Sequence, residues 1–134
     1  MASRDEKLEF VRLVHETTGR RDPAGLDLID PDVEWDTSAY PFPDLADVYR
    51  GHKGVVEFWT RWHAGWEIDE YEMEEFIDAG DKVVVGTRVS GRGRDGIQVE
   101  VRVHAIWEIR DDKLVRFRMY ADRERALHAA GLGE

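Results

Sequence analysis

A chain of 134 residues with a formal net charge of −10 is long enough to bury one core and too acidic for two classes of partner. Sequence-independent nucleic-acid binding and attachment to an anionic membrane both need a cationic surface, so we expect neither. The absence of cysteine excludes disulfides and cysteine-ligated metals, and no stretch approaches the roughly 18 apolar residues of a membrane span. These features predict a single cytoplasmic domain over residues 1–134.

Two helices are predicted before the first strand. Apolar residues at helical spacing after Ser3 predict a helix that ends near Thr18. A second, short helix should begin at Pro23, with Asp22 as its cap, and end before Pro31. The apolar pattern then changes from helical spacing to alternation, which marks the start of a strand.

The first strand and the segment after it bring aromatic side chains towards the core. Alternation in residues 32–37 predicts a short strand with Trp35 pointing inward and Asp36 on the opposite face. Residues 38–49 follow and contain Tyr40 and two prolines, which favours an ordered loop rather than a central strand. Such a loop could cover a cavity.

A third helix is predicted over residues 52–64. Trp59 and Trp62 share its apolar face with Val55 and Phe58. A tryptophan cluster at this spacing is more often core than ligand cage. In a domain with a curved sheet, however, one side chain can be both a wall and a ligand contact.

Four strands follow the third helix, over residues 67–78, 82–90, 98–109 and 114–121. A final helix should cover residues 123–130. Consecutive strands joined by short turns favour an α+β fold, in which a strongly curved, mostly antiparallel sheet wraps around helices gathered on one face.

The last two strands each present an apolar face. Val101 and Val103 alternate with charged residues in one strand, and Val115, Phe117 and Met119 alternate in the next. These faces and the third helix predict an enclosed apolar pocket, because a bent sheet and a covering helix diverge. The predicted ligand-binding residues are Trp35, Tyr40, Trp59, Trp62, Arg88, Val101, Val103, Phe117 and Met119.

Three stretches of the chain carry a resemblance to a known family. They are Tyr49-Arg-Gly-His-Lys-Gly-Val-Val-Glu-Phe-Trp at the third helix, Trp107-Glu-Ile-Arg-Asp-Asp-Lys-Leu-Val at the last hairpin and Tyr120-Ala-Asp-Arg-Glu-Arg-Ala-Leu at the final helix. With the order of elements, they resemble the SnoaL-like, ketosteroid-isomerase-like branch of the nuclear transport factor 2-like superfamily. The resemblance implies a cone-shaped fold with an apolar pocket, usually in a homodimer formed through the sheet.

The catalytic residues of that branch do not carry over as a set. Limonene epoxide hydrolase is similar to this chain, and its arginine and two aspartates match Arg88, Ser90 and Met119. SnoaL-type cyclases use an acid at the position of Met119. Ketosteroid isomerases use an acid that matches Trp35 or Asp36, and a second acid on the penultimate strand. The resemblance therefore implies the fold and leaves the activity open.

Arg88 and Asp36 are the candidate catalytic residues, each with an alternative interpretation. The resemblance places Arg88 in the pocket as its polar anchor, whereas the alternation of Val83, Val85 and Val89 places it on the outer face. We expect the pocket position. Asp36 could act as a base at the end of its strand. Because it follows Trp35 directly, however, its side chain should point to the opposite face, which favours a solvated acid.

The histidines show no metal-binding pattern. His15, His52, His63, His104 and His128 are scattered, without the close spacing that a metal site needs. His63 is placed to reach the mouth of a cone, although a histidine at a helix edge is the ordinary interpretation. We predict neither a metal site nor a cofactor.

Two classes of function stay open. The first is a binding protein for a small apolar or carbonyl-bearing organic ligand, which the loss of acids at the matched positions favours. The second is a cofactor-free isomerase, cyclase, dehydratase or hydrolase acting on a polyketide-like or terpenoid-like molecule. A carboxylate or an imidazole on the pocket floor would support the second class, and a wholly apolar floor would count against it.

A homodimer is also predicted, from the outer face of the last two strands. That face combines opposite charges with some apolar area, as a self-complementary interface requires. Its residues are Arg102, His104, Ile106, Glu108, Arg116, Arg118 and Tyr120.

Overall fold

The computed structural model describes residues 3–19, 23–40 and 48–132. Within them lie three α-helices, one 3-10 helix and six strands. In chain order these are α1 (Arg4–Gly19), the 3-10 helix (Pro23–Leu28), β1 (Ile29–Ala39), β2 (Val48–Arg50), α2 (Gly51–Ala64), β3 (Trp66–Asp78), β4 (Lys82–Gly93), β5 (Gln98–Arg110), β6 (Lys113–Tyr120) and α3 (Arg123–Ala129).

The six strands form one sheet in the order β2-β1-β6-β5-β4-β3. Strand β1 runs parallel to β6, and the other neighbouring pairs are antiparallel. The sheet curls around α1 and α2, which pack on its concave side against β3 and β1 respectively. The predicted α+β fold with a curved, mostly antiparallel sheet is confirmed.

The boundaries of the elements follow local signals in the sequence. Ser3 and Glu6 exchange hydrogen bonds at the start of α1, where each side chain accepts from the other residue's backbone N–H. Pro31, expected to end the second helix, lies inside β1, which is longer than predicted. Strand β2 was missed, because it contains only three residues, Val48–Arg50, at the end of the expected loop. The predicted cap Asp22 and the centre of that loop lie outside the described residues.

The core lies on the concave side, where alternate residues of each strand meet α1 and α2. The strand register places Trp35, Phe117 and Trp107 side by side in one row across β1, β6 and β5. The rings of Trp35 and Phe117 stack with their centroids 4.0 Å apart, and Phe117 meets Trp107 edge-on at 5.6 Å. This row forms the aromatic floor under α2.

A bulge changes which residues of β6 face the core. The pairing of β5 with β6 shifts between Glu108 and Ile109, so that the chain at Val115 contains one residue more than its partner strand. Leu114 is fully buried as a result, and Val115 is only half-buried. The expected inward face of Val115 is wrong, whereas those of Phe117 and Met119 are as predicted.

Helix α3 packs on the convex side of the sheet, away from the other helices. Ala126 of α3 is buried against Val84 and Ile106, which point out of the convex face. The helix begins as expected, because the side chain of Asp122 accepts a hydrogen bond from the backbone N–H of Glu124 at 2.9 Å. The expectation that all helices gather on one face is therefore wrong for α3.

None of the helices in the described ranges is long and apolar enough to cross a membrane.

Candidate functional site

A small cavity lies between the two concave-side helices and the sheet. Its volume is about 60 Å³, and α1, α2 and every strand except β2 contribute to its wall. The lining residues are Val14, His15, Trp35, Phe58, Trp59, Trp62, Tyr71, Thr87, Val89, Val103, Ala105, Trp107, Phe117 and Met119. Half of these side chains are aromatic rings of Trp, Phe or Tyr, so the cavity suits a flat apolar group.

Most of the predicted ligand-binding residues meet in this cavity. Trp35, Trp59, Trp62, Val103, Phe117 and Met119 line it. Val101 and Tyr40 do not. Val101 is partly buried against the edge of the core, and Tyr40 packs edge-on against Trp62, with ring centroids 6.1 Å apart. Tyr40 therefore supports the wall from behind.

The structure places Arg88 on the convex face, and its predicted position in the pocket is wrong. Its neighbours Thr87 and Val89 line the cavity, so the alternation of β4 directs Arg88 away from it. The guanidinium bonds Glu100 at 3.3 Å and Glu70 at 3.2 Å, and it also pairs with Glu72. These carboxylates stabilise the charge of the arginine on the outer face of the sheet, whereas burial in an apolar cone would have left it unpaired.

Asp36 lies on the convex face as well. The neighbouring side chains of Trp35 and Thr37 are buried on the core side of β1, and Asp36 points the other way. Its carboxylate accepts a hydrogen bond from the backbone N–H of Ser38 at 2.8 Å, and Arg118 is its neighbour on β6. The position agrees with a solvated acid and lies outside the cavity.

His15 is the polar residue of the cavity that the sequence interpretation missed. Its Nε2 lies 3.5 Å from the hydroxyl oxygen of Thr87, and its ring meets Trp107 edge-on at 5.5 Å. Burial lowers the pKa of His15 from 6.5 to about 4, so the imidazole is neutral near pH 7. The sequence did contain one indication that His15 faces the core, because it follows Val14 on the apolar face of α1.

A second polar group at the wall is the hydroxyl of Tyr71. It accepts a hydrogen bond from the indole N–H of Trp62 at 3.0 Å and lies 3.4 Å from Nε2 of His63. The other ring nitrogen of His63 lies 2.8 Å from the carbonyl oxygen of Trp59. Because a carbonyl can only accept, that nitrogen carries the proton and Tyr71 donates to His63. His63 therefore contacts the hydroxyl of Tyr71 in the wall, and its position at the mouth of a cone stays a prediction.

Three indoles of the wall bury their N–H groups without a partner among the described residues. They belong to Trp35, Trp59 and Trp107. A buried N–H that lacks an acceptor costs about 1–3 kcal/mol, so such groups are usually paired in proteins. An oxygen acceptor on a bound molecule would supply the missing partner.

Among the described residues, the wall of the cavity thus carries an imidazole and no carboxylate, since none of those that line it is Asp or Glu. The described residues also contain no group of three His, Cys, Asp or Glu side chains that could hold a metal ion. The chemistry that this wall offers is hydrogen bonding and proton transfer through His15, Tyr71 and Thr87.

The curled mixed sheet closed over two helices is the fold of solved nuclear transport factor 2-like structures. The family model of the SnoaL-like domain matches residues 10–117. The chain belongs to this family, and it is a small-molecule-binding domain of the kind that the family comprises.

Solved structures agree with this assignment. A nuclear transport factor 2-like protein from Burkholderia thailandensis is 28% identical, with 98% of each chain covered and a TM-score of 0.73. TerC, crystallised with polyporic acid, is 26% identical, with 92% of this chain and 95% of TerC covered and a TM-score of 0.72. A ketosteroid-isomerase-like protein from Catenulispora acidiphila, in complex with trimethylamine, is 16% identical, with 92% and 93% covered and a TM-score of 0.71. None of the curated proteins matches the chain.

Proposed function

We propose that this protein binds a small, ring-containing organic molecule that is apolar apart from a carbonyl or similar oxygen. The observation that carries the proposal is the set of three buried indole N–H groups without described partners in an aromatic wall, on Trp35, Trp59 and Trp107. Stacking against rings supplies affinity, and the N–H donors select for an oxygen acceptor. The related TerC was crystallised with an organic acid, polyporic acid.

Binding of a ring requires one wall side chain to move. The cavity of about 60 Å³ is smaller than the cavity of about 150 Å³ that accepts benzene in another protein. Trp59 is the tryptophan among the described lining residues that is partly exposed, and its N–H has no described partner. We therefore expect the Trp59 ring to shift within the wall when a ligand enters, so that its N–H can still donate to the ligand.

The proposal is tested with a matched pair of ligands, acetophenone and α-methylstyrene. They have the same shape, but a carbonyl oxygen in the first is replaced by a methylene group in the second. Acetophenone should bind more tightly by about tenfold, because one satisfied buried donor contributes about 1.4 kcal/mol. Titration calorimetry measures both affinities. Equal affinity for the two compounds would show that the indole N–H groups do not bind the carbonyl oxygen.

A cavity-filling variant is the control for the location of binding. Ala105 is buried on β5 and lines the cavity. Ala105→Leu should occupy the cavity and abolish binding of both compounds while the protein stays folded. Binding that survives this substitution would place the ligand elsewhere.

A cofactor-free proton-transfer enzyme is the second candidate function, and His15 is the observation that favours it. A neutral imidazole in an apolar cavity can remove a proton next to a carbonyl group. His15 replaces Asp36 as the candidate base, and Arg88 is no longer a candidate catalytic residue, because both of those side chains lie on the convex face. An isomerase, a cyclase or a dehydratase could each use such a step.

Proton-transfer catalysis can be detected as exchange of hydrogen for deuterium in a ligand. In heavy water, the protein should speed the loss of the methyl proton signal of acetophenone in NMR spectra, and His15→Phe should remove that acceleration. A protein that binds acetophenone without speeding exchange is a binding protein only.

A homodimer remains our proposal for the assembly. Helix α3 already covers Ile106, which is 1% exposed, so the convex face offers less apolar area than its sequence predicts. The rest of that face carries ion pairs, such as Arg116 with Glu34 at 2.9 Å and Arg102 with Glu74 at 2.9 Å. An interface on this face would be polar, and salt should weaken it.

Light scattering at micromolar concentration tests the assembly. We expect a mass twice that of the 15.5 kDa chain at low salt and a shift towards the monomer at high salt. A monomer under both conditions would refute the dimer. We also propose a cytoplasmic location, which the absence of cysteine supports.

A further inference from the structure

We propose that the ligand of the cavity carries a weakly acidic hydroxyl group, as in a phenol or an enol, and that His15 accepts the proton of that group. This inference rests on the proposed binding function and narrows the class of ligand. The proton leaves the ligand oxygen for a ring nitrogen of His15. The O–H bond breaks, the N–H bond forms, and the electron pair stays on the oxygen.

The surroundings of His15 make it available as an acceptor. The groups that face it are Tyr71 on β3, Thr87 on β4 and Trp107 on β5. Tyr71 is the one titratable group among them, and none is a carboxylate or a cation. The contact with Thr87 is 3.5 Å long, at the outer limit of a hydrogen bond, so a ligand hydroxyl can replace it with little loss.

Burial keeps His15 neutral. It lowers the pKa of the residue to about 4, because the charged ring would lose its hydration and none of the described residues facing it carries a negative charge that would offset this loss. A ligand that becomes an anion when it gives up its proton supplies that negative charge. In an apolar site the resulting pair attracts more strongly than it would in water.

The remaining polar groups of the wall suit the oxygen that is left behind. The indole N–H groups of Trp35, Trp59 and Trp107 can only donate, and the described residues offer them no acceptor. A carbonyl oxygen uses such donors but leaves the lone pair of His15 unused. A hydroxyl that transfers its proton satisfies both, because it first donates to the imidazole and then accepts from the indoles.

The test compares 4-nitrophenol with its methyl ether, 4-nitroanisole, at pH 6. The two molecules share the ring and the nitro group, and only the first has a proton to give. We expect the wild-type protein to bind 4-nitrophenol at least tenfold more tightly than 4-nitroanisole, by titration calorimetry. The bound nitrophenol should also show the yellow absorbance of its anion.

Two variants assign the effect to His15. His15→Phe should lose at least tenfold in affinity for 4-nitrophenol and change by less than twofold for 4-nitroanisole. His128→Phe, on the exposed part of α3, should behave as the wild type. The absorbance of the anion in the wild-type protein is a second readout that does not depend on the folding of any variant.

The outcomes separate this inference from the binding function. Equal affinity of the wild-type protein for both compounds, or bound nitrophenol without the absorbance of its anion, would overturn the role of His15 and leave ring binding intact. An equal loss of both compounds in His15→Phe would show that the residue only shapes the cavity. No binding of either compound would overturn the proposed function itself.

Discussion

Replacing Phe117 by alanine should lower the free energy of unfolding by about 3–5 kcal/mol. The ring stacks on Trp35 at 4.0 Å and meets Trp107 at 5.6 Å, and it is only 7% exposed. Its removal takes away the centre of the aromatic row and enlarges the existing cavity. The walls on either side are large rings held by the sheet, so they can close the gap only in part. Urea denaturation followed by tryptophan fluorescence measures the loss.

The matched control lies two residues away on the same strand. Val115 occupies the bulge and is half-buried, so Val115→Ala should cost less than about 1.5 kcal/mol. Benzene should also stabilise Phe117→Ala more than it stabilises the wild-type protein, since only the variant has room for it without rearrangement. A similar cost for both substitutions would contradict the assignment of the β6 face.

The stability of the protein should fall by about 3 kcal/mol between pH 6.5 and pH 4 on account of His15 alone. Burial lowers the pKa of this residue from 6.5 to about 4 in the folded state. Between those values the unfolded chain binds a proton that the folded protein excludes, so each pH unit changes the free energy of unfolding by about 1.4 kcal/mol. Stability is therefore lost as the pH falls through 6.5, and the loss is complete below about 4.

His15→Phe is the comparison that isolates this effect. Bonds with Arg123 and Lys7 lower the pKa of Glu75 and Asp78, and burial lowers that of His104, so other groups also weaken the fold in acid. They act equally in both proteins. Urea denaturation at several pH values should give a smaller slope for the variant over this range. Parallel curves would show that His15 titrates as an ordinary exposed histidine.

Local patterns in the sequence predicted most of the elements. The alternation of apolar residues in β4 and β5 indicates the side chains that face the core in the structure. The predicted turn between β5 and β6 is also present, where Asp111 and Asp112 adopt positive φ angles of 51° and 61°. Gly131 after α3 has a φ of 82°, as a left-handed helix end requires. These features depend on neighbours within a few residues, so the sequence alone determines them.

The ligand site could be predicted only in part. The aromatic wall could be predicted from local patterns. Alternation along the strands identified Trp35 and Phe117, and the apolar face of the third helix identified Trp62. His15 was missed because its importance comes from Thr87 and Trp107, which lie far along the chain and meet it only when α1 packs on the sheet. Arg88 was misplaced because we followed a family resemblance instead of the alternation of its own strand.

Tertiary structure alone decided three features of this protein. The parallel pairing of β1 with β6 joins strands from opposite ends of the chain, and the bulge at Val115 depends on the register with β5. The neutral state of His15 depends on burial by three strands. Alternation and capping reflect the energies of nearby residues, so a sequence shows them directly. The partners of a side chain across the core depend instead on how distant segments pack, and no local pattern contains that information.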